Sequence, residues 1–383
     1  MKASAWKEEP QRFEIDFLSE LTKLDNELKE RRYETLKGSE FIIQERGRTR
    51  HIYGARMRDR VVRHAICDGT LIPAIKPYLI HNNGASQKGK GLSFSRKEFE
   101  KDLHGYYLEH GDNHGYIGFM DISKFYDNVR HDTCMELFSG KIDRETEWLL
   151  EKILQSFRVD ISDLPEEERE RFMDSKFNSV EFQESRKGEY YAPKSVNIGD
   201  QVSQTIGICY PIAIDNYAKI VRGAKRYGRY TDDIYIIEKD KERLKSIMDG
   251  IRKTAKSMGL FINDKKTRIV KLSATYKYLQ VKYSLTETGR VIKRINPATI
   301  TRRRKKLKAY KRMMDAGTMQ YEDIRESQKS WLGEFTKIMS KDQIKGMVKL
   351  YDDLFGEIVR LKMEKGRYRK ALKEMGIIKK GER

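Results

Sequence analysis

Apolar positions follow two spacings along this chain, one typical of helices and one typical of strands. Residues 11–40 and 95–111 place apolar side chains three and four positions apart, which predicts amphipathic helices. Short runs of β-branched and aromatic residues around polar turns predict hairpins over residues 41–53 and 228–237. Strand patterns end near residue 297, and helical spacing then continues. The pattern therefore predicts an α+β chain whose last segment is helical.

Changes in composition divide the chain into three predicted segments. Residues 1–40 form a helical N-terminal extension, residues 41–296 mix helices with strands, and residues 297–383 form a basic helical region. Residues 158–190 are polar, contain an acidic block, and are predicted to be an insertion in the mixed segment. Eight basic residues and no acid lie between Arg302 and Arg312, which is the sharpest of these changes.

The balance of charge indicates a polyanionic partner. The chain has 383 residues, with 78 Lys and Arg against 58 Asp and Glu, which gives a formal charge of +20. This excess is typical of proteins that bind nucleic acid, and a solvated basic surface is the simpler alternative. No apolar run reaches the length of a membrane span, so we expect no membrane segment. Three dispersed cysteines without metal spacing (Cys67, Cys134 and Cys209) are typical of buried free thiols in a reducing cytoplasm.

Two stretches place acids where strands end. Asp232 and Asp233 follow an aromatic run and precede a β-branched run, so they are predicted at the tip of a hairpin. Asp121 ends an apolar strand, where a carboxylate is costly unless it is paired or bound to a metal ion. Adjacent carboxylates repel unless a cation joins them, and Mg²⁺ prefers oxygen ligands. A solvated turn is the alternative for the pair taken alone.

Two further stretches are candidates for binding. The Gly- and Lys-rich residues 82–91, which include Lys88 and Lys90, could cradle phosphate, or they could form a flexible basic loop. Ser203 and Gln204 follow Gly199 at the start of an apolar helix, where ordinary helix capping is the alternative.

These stretches, in their order along the chain, resemble the palm motifs of reverse transcriptases. The order is Phe119–Asp127 as motif A, Ile198–Gln204 as motif B, Tyr230–Asp233 as motif C, Asn263–Thr267 as motif D and Tyr278–Gln280 as motif E. One motif is weak, but five in order are specific. The last departs from the family, because Gln280 replaces the usual glycine. The resemblance covers about residues 40–335, and it implies a right-hand polymerase with fingers and palm, an antiparallel sheet packed on helices, and a helical thumb.

The resemblance also implies roles for individual residues. The catalytic residues would be Asp121, Asp232, Asp233 and Lys266, and the metal ligands would be Asp121, Ile122, Asp232 and Asp233. Two Mg²⁺ ions would bind there, with Mn²⁺ as the alternative, one to activate the primer hydroxyl and one to steady the triphosphate. Lys266 would protonate the pyrophosphate.

Binding roles follow in the same way. The nucleotide-binding residues would be Arg50, Tyr126, Gly199, Ser203 and Gln204. Tyr126 would act as a steric gate that excludes the ribose 2′-hydroxyl and so favours dNTP. The nucleic-acid-binding residues would be Lys88, Lys90, Arg302, Arg303, Arg304, Lys305 and Trp331.

Motif B, with Ile198-Gly199 followed by Ser203-Gln204, is similar to that of diversity-generating retroelement enzymes. The resemblance is therefore to bacterial reverse transcriptases of the group II intron-like lineage, with phage-defence enzymes as close relatives. It implies copying of a cognate non-coding RNA into cDNA from dNTPs, with an accessory protein or a homo-oligomer as further partners. The alternatives are a template-independent or protein-primed nucleotidyltransferase of a defence system, an RNA-templated RNA polymerase, and a non-catalytic RNA-binding scaffold.

Overall fold

The structure, a computed structural model, describes residues 7–45, 48–178, 190–361 and 366–378. The chain divides into two compact units. The first contains Met1–Asp102 and Gly115–Val270, and the second contains Leu103–His114 and Lys271–Arg383. The change in composition near residue 297 lies inside the second unit.

The first unit combines helices with a central sheet. Its helices are α1 (Glu8–Ile15), α2 (Phe17–Lys29), α3 (Met57–Ile66), α4 (Ile72–Ile75), α5 (Leu92–His110, which continues into the second unit), α6 (His131–Phe138), α7 (Arg144–Gln155), α8 (Glu166–Phe172), α9 (Gln201–Cys209), α10 (Ile212–Asn216) and α11 (Lys241–Ser257). Its strands are β1 (Ser39–Glu45), β2 (Arg48–Gly54), β3 (Tyr116–Ser123), β4 (Val159–Asp160), β5 (Tyr191–Ala192), β6 (Arg226–Tyr230), β7 (Asp233–Glu238), β8 (Phe261–Ile262) and β9 (Arg268–Lys271).

The central sheet has the strand order β6-β7-β3-β8, and β9 also pairs with β3. The pairs β6–β7, β7–β3 and β3–β8 are antiparallel. Helix α11 covers β3 closely because Gly118 has no side chain. A Cβ at Gly118 would lie 2.6 Å from the Met248 sulfur. Burial of Ile234 and Ile236 on the sheet with Ile247 and Ile251 on α11 stabilises this packing.

The outer edge of β6 is covered by the loop before α5. The Arg229 N–H donates to the Asn82 carbonyl over 3.0 Å, and the Gly84 N–H donates to the Arg229 carbonyl over 3.1 Å. The Asn83 side chain donates to the Ile208 carbonyl over 2.9 Å. The loop is therefore bonded both to the sheet and to the end of α9.

The helical spacing of residues 11–40 does not give one helix. It gives α1 and α2, which meet at Asp16, followed by non-helical chain up to β1. The buried Asp59 of α3 explains this departure. It accepts hydrogen bonds from the Tyr33 hydroxyl at 2.8 Å and the Leu36 N–H at 3.1 Å, which hold this connection in an extended form. The predicted hairpin over residues 41–53 is confirmed as β1 and β2.

The predicted insertion contains α8 and β4, and β4 pairs with β5 directly after the insertion, while residues 179–189 lie outside the described residues. Lys194, which is fully buried, holds this segment. Its ammonium donates to the carbonyls of Phe172 at 3.0 Å and Ser175 at 2.6 Å. Burial lowers the pKa of Lys194 to about 8.

The three cysteines, which are far apart in sequence, are free and buried in the core of the first unit. Burial raises the pKa of each thiol. Across the described part of the chain, no helix has both the length and the apolar character needed to cross a lipid bilayer.

The second unit has one antiparallel sheet, β10 (Tyr276–Tyr278), β11 (Val281–Leu285) and β12 (Val291–Ile295), in that order. Four helices follow, α12 (Pro297–Asp315), α13 (Tyr321–Phe335), α14 (Lys341–Phe355) and α15 (Arg367–Glu374). Leu307, Ile324, Leu332, Ile344 and Met347 form part of a separate apolar core.

Asp102 gives this fold a measurable pH dependence. Its carboxylate accepts a hydrogen bond from the Tyr235 hydroxyl at 2.7 Å, and burial raises its pKa to about 6. A raised carboxyl pKa stabilises the fold below the unfolded pKa, and this contribution is lost as pH rises from about 4 to about 6. Asp102→Asn removes the titration, so the stability of the wild type relative to this variant should fall by about 2 kcal/mol across that window. Urea unfolding of both proteins at several pH values measures the difference, and a constant difference would contradict the prediction.

Candidate active site

The turn between β6 and β7 places acids beside the end of β3. Thr231 and Asp232 alone separate the two strands, and Thr231 has a φ of 55°. Asp121 pairs with Asp233 in the neighbouring ladder. The Ile122 N–H donates to the Asp232 carbonyl over 3.0 Å. Main-chain pairing therefore brings all three acids to one end of the central sheet.

Burial and mutual repulsion act on the acids at this end. The pKa of Asp232 is raised by burial first and by the charge of Asp121 second, while the cations of Lys266 and Arg50 oppose the increase. Asp121 is only 6% exposed, and the Lys266 ammonium lies 2.5 Å from its Oδ2 atom. The side chain of Asp233 is exposed. The pKa of Asp232 is therefore raised mainly because its carboxylate is withdrawn from water, and the charge of Asp121 adds to this increase.

A short turn holds Lys266 beside the sheet. The N–H groups of Lys266 and Thr267 donate to the Asn263 carbonyl at 3.1 and 3.0 Å. The Asn263 N–H in turn donates to the Asp121 carbonyl at 2.8 Å. The turn that carries Lys266 is thus hydrogen-bonded to the main chain of Asp121, whose carboxylate the lysine contacts.

The donor chemistry of the site fits a hard divalent cation. Asp121 and Asp232 supply carboxylate oxygens at one point, and the raised pKa of Asp232 is the effect that a bound cation would reverse. Within the described residues, no group of three or more His, Cys, Asp and Glu side chains is arranged to hold a metal ion. The Lys266 ammonium donates a hydrogen bond to the Asp121 carboxylate at this point.

A buried ion pair supports the turn that carries Asp232. Arg229 and Asp215 are both almost fully buried and form two hydrogen bonds, at 2.9 and 2.8 Å. The same guanidinium donates to the Thr231 carbonyl at 3.2 Å and the Ile208 carbonyl at 2.8 Å. The Tyr227 hydroxyl also donates to Asp215, over 2.7 Å. These bonds tie the turn to the ends of α9 and α10.

A second buried ion pair positions motif B. Arg63 of α3 pairs with Asp200, and both are buried. The other Asp200 oxygen caps α9 by accepting from the Val202 N–H at 2.8 Å. Gly199 precedes this cap with a φ of 105°, and a Cβ there would lie 3.2 Å from Ile52. The strand β2 therefore approaches motif B closely.

Tyr126, in motif A, lies in the turn that follows β3. After β3 the chain turns through Lys124, at a φ of 45°, into a 3₁₀ turn at Tyr126–Asn128. The Tyr126 carbonyl accepts from the Val196 N–H over 3.0 Å. Burial, followed by the charge of Asp232, raises the pKa of Tyr126 to about 12. The hydroxyl is therefore neutral at physiological pH and lies near the acids.

The remaining predicted nucleotide contacts differ in exposure. Ser203 is 1% exposed, whereas Gln204, the next residue on α9, is exposed. Arg50 is half-buried on β2, and its charge acts on both Asp232 and Tyr126. Arg50 and Gln204 therefore have side chains accessible to a ligand, and Ser203 faces the core.

The two lysines of the loop before α5 have different environments. Lys88 is exposed. The Lys90 ammonium donates to the carbonyls of His81 at 2.9 Å and Asn83 at 3.2 Å, and it lies 5.2 Å from the centre of the Phe94 ring. Lys90 therefore stabilises the loop itself.

The predicted nucleic-acid contacts of the second unit also divide. Arg302, Arg304 and Lys305 are exposed on α12. Arg303 is buried and donates to the Gln328 side chain at 2.8 Å, and its guanidinium lies 5.8 Å from the Trp331 ring centre. Arg303 and Trp331 therefore join α12 to α13, while Arg302, Arg304 and Lys305 face solvent.

A sheet with acids at the tip of a hairpin and at the end of the adjacent strand is the arrangement that the resemblance to a polymerase palm predicts. Residues 55–283, more than half of the chain, match the family model described as reverse transcriptase (RNA-dependent DNA polymerase). The chain therefore belongs to the reverse transcriptase family. No significant match is found among curated proteins.

Solved telomerase structures are similar to this chain. One is telomerase from Candida albicans in complex with a TWJ fragment of telomeric RNA, with 11% identity, a TM-score of 0.50, and coverage of 91% of this chain and 55% of that one. Another is apo telomerase from Candida tropicalis, with 14% identity, a TM-score of 0.48, and coverage of 88% and 61%. The chain spans less than two thirds of either length. The Candida albicans structure supports the α+β reverse transcriptase fold.

The buried ion pair at Asp215 predicts a large effect on stability. Asp215→Asn leaves Arg229 buried without its counter-charge, which should lower the free energy of unfolding by about 3–5 kcal/mol. The matched control is Asp25→Asn, because Asp25 forms an exposed ion pair with Lys29 at 2.6 Å. That change should cost at most about 1 kcal/mol. Urea unfolding measures both, and equal losses would contradict the role of the buried pair.

The repulsion between Asp232 and Asp121 predicts opposite effects without and with a divalent cation. Asp232→Asn removes a buried charge beside a like charge, so the metal-free variant should melt a few degrees above the wild type. Mg²⁺ should raise the melting temperature of the wild type and have little effect on the variant. Asp249→Asn, at an exposed position on α11, should respond as the wild type does. An equal response to Mg²⁺ in all three proteins would exclude Asp232 as a ligand.

Proposed function

We propose that this protein is an RNA-directed DNA polymerase that extends a primer with dNTPs. The observation that carries the proposal is the placement of Asp121 and Asp232 side by side at the end of the central sheet, with Lys266 against them. Membership of the reverse transcriptase family supports the same reaction.

Asp121, Asp232 and Asp233 would hold divalent cations, together with the main-chain carbonyl of Ile122. We propose two ions, Mg²⁺ or Mn²⁺, which when bound activate the primer hydroxyl and stabilise the charge of the triphosphate. Asp232 favours this binding because a cation relieves its repulsion with Asp121.

Other side chains act on the nucleotide directly. Lys266 carries its ammonium beside Asp121, where it can donate a proton to the departing pyrophosphate. Arg50 places a positive charge near Asp232, suited to the triphosphate. The ring of Tyr126 excludes a ribose 2′-hydroxyl and so favours dNTP. Gly199, Ser203 and Gln204 shape the pocket for the nucleotide and template. Gln204 lies on the exposed side of α9, and Ser203 supports the pocket from the buried side of this helix.

The template and product bind along basic surfaces. Lys88, Arg302, Arg304 and Lys305 are exposed and suited to phosphate contacts, whereas Lys90, Arg303 and Trp331 support the elements that carry them. In this proposal residues 41–296 form fingers and palm, residues 297–383 form the thumb and C-terminal tail, and residues 1–40 form a helical extension.

The sequence of motif B favours one biological setting. Its likeness to diversity-generating retroelement enzymes supports copying of a cognate non-coding RNA into cDNA, in such an element or in an anti-phage defence system of a bacterial cytoplasm. An accessory protein or a second copy of the chain would complete the assembly. The neighbouring genes distinguish the two settings, because a template and variable repeat pair accompanies diversification.

Primer extension tests the proposed reaction. The wild type should incorporate dNTPs on an RNA template with a DNA primer in the presence of Mg²⁺. Asp121→Asn should lower this rate at least about a thousandfold, since metal-ion stabilisation contributes several kcal/mol to the barrier. The control variant Asp249→Asn, at an exposed position on α11, should retain the wild-type rate. Equal background rates in all three proteins would favour an RNA-binding scaffold, and incorporation without template would favour a terminal transferase.

A further inference from the structure

Gly207 on α9 lies directly against the ring of Tyr126. A Cβ at Gly207 would be 2.9 Å from the Tyr126 hydroxyl oxygen and 3.4 Å from the ring atoms Cε1 and Cζ. Gly207 is buried inside the helix and does not have a positive φ. Alanine would thus suit the backbone better, since glycine is unfavourable in a helix interior. The missing side chain serves the contact with Tyr126.

The helix is held more firmly than the tyrosine side chain. The Gly207 carbonyl accepts from Arg229 at 3.4 Å, and the next carbonyl, of Ile208, accepts from Arg229 at 2.8 Å and Asn83 at 2.9 Å. The Tyr126 main chain is fixed by its bond to Val196. The atom closest to the added methyl group is, by contrast, the far end of a rotatable side chain. An extra methyl group would therefore move the ring of Tyr126 away from α9 and leave the helix in place.

We propose that Gly207 is a specificity-determining position, because its lack of a side chain lets the Tyr126 ring rest on α9 and sets how far the ring extends toward the nucleotide sugar. This inference rests on the proposed polymerase function and on Tyr126 as the sugar gate. The position of the Tyr126 ring, which belongs to motif A, would therefore be set by Gly207 on α9, the helix that begins in motif B.

The test is a double-mutant cycle between the two residues. Gly207→Ala should lower kcat/KM for dNTP about tenfold and for NTP by more, because the displaced ring narrows the sugar pocket. Tyr126→Phe removes the oxygen at 2.9 Å and leaves ring atoms at 3.4 Å, so Gly207→Ala should have little effect in the Tyr126→Phe background. The matched control is Gly69→Ala, because a Cβ at Gly69 has no neighbour within 4 Å. A Gly207→Ala effect that persists unchanged in the Tyr126→Phe background overturns the proposal.

A second readout separates this inference from the proposed function. Gly207→Ala should change the melting temperature more favourably in the Tyr126→Phe background than in the wild type, because only the wild type has a hydroxyl oxygen 2.9 Å from the added methyl group, and this difference should appear whether or not the protein polymerises nucleotides. Absence of polymerisation by the wild type would refute the proposed function and, with it, control of sugar selection, while the melting cycle would still decide the contact. If the wild type is active and Tyr126→Ala does not increase NTP use, Tyr126 is not the gate and Gly207 does not set specificity.

Discussion

The buried pair of Arg229 and Asp215 is the interaction on which the site depends most. Its two hydrogen bonds satisfy a guanidinium and a carboxylate that are both removed from water. The remaining guanidinium hydrogens reach carbonyls of the turn at Thr231 and of helix α9. One fully satisfied ion pair therefore fixes the relative positions of motifs B and C. The left-handed conformation of Thr231, which is costly for a β-branched residue, persists because these bonds surround it.

Buried ion pairs support the turn that carries Asp232 on one side, and acidic side chains lie on its other side. Behind the turn, Arg229 and Asp215 offset each other, as do Arg63 and Asp200 behind motif B. On the other side of the turn, burial and then the charge of Asp121 raise the pKa of Asp232, while Lys266 and Arg50 oppose the increase. Charged side chains held in place by buried ion pairs suit catalysis, because charged ligands can then bind without reorganising the protein.

The sequence was informative where function is local. The hairpin with acids at its tip, the neighbouring strand ending in Asp121 and the start of α9 all follow from patterns within a few residues. The supporting pairs do not, because single charges such as Asp215 in an apolar run do not specify their partners. The sequence also did not show which basic side chains are exposed to solvent. Arg303 and Lys90 lie in strongly basic segments, yet long-range packing turns Arg303 into the second unit's interior and Lys90 toward loop carbonyls. A charged residue inside an otherwise apolar stretch was the signal that could have identified Asp215.

The loop over β6 has a consequence for association. An edge strand with free N–H and C=O groups is a template for pairing with another chain. Asn82 and Gly84 form hydrogen bonds with the main-chain groups of Arg229, one residue before the end of β6. A second copy therefore cannot extend the central sheet at this position, and neither can an unfolded segment of a neighbouring chain. The end of β6 that leads into the acidic turn is in this way protected from intermolecular β-pairing at Arg229.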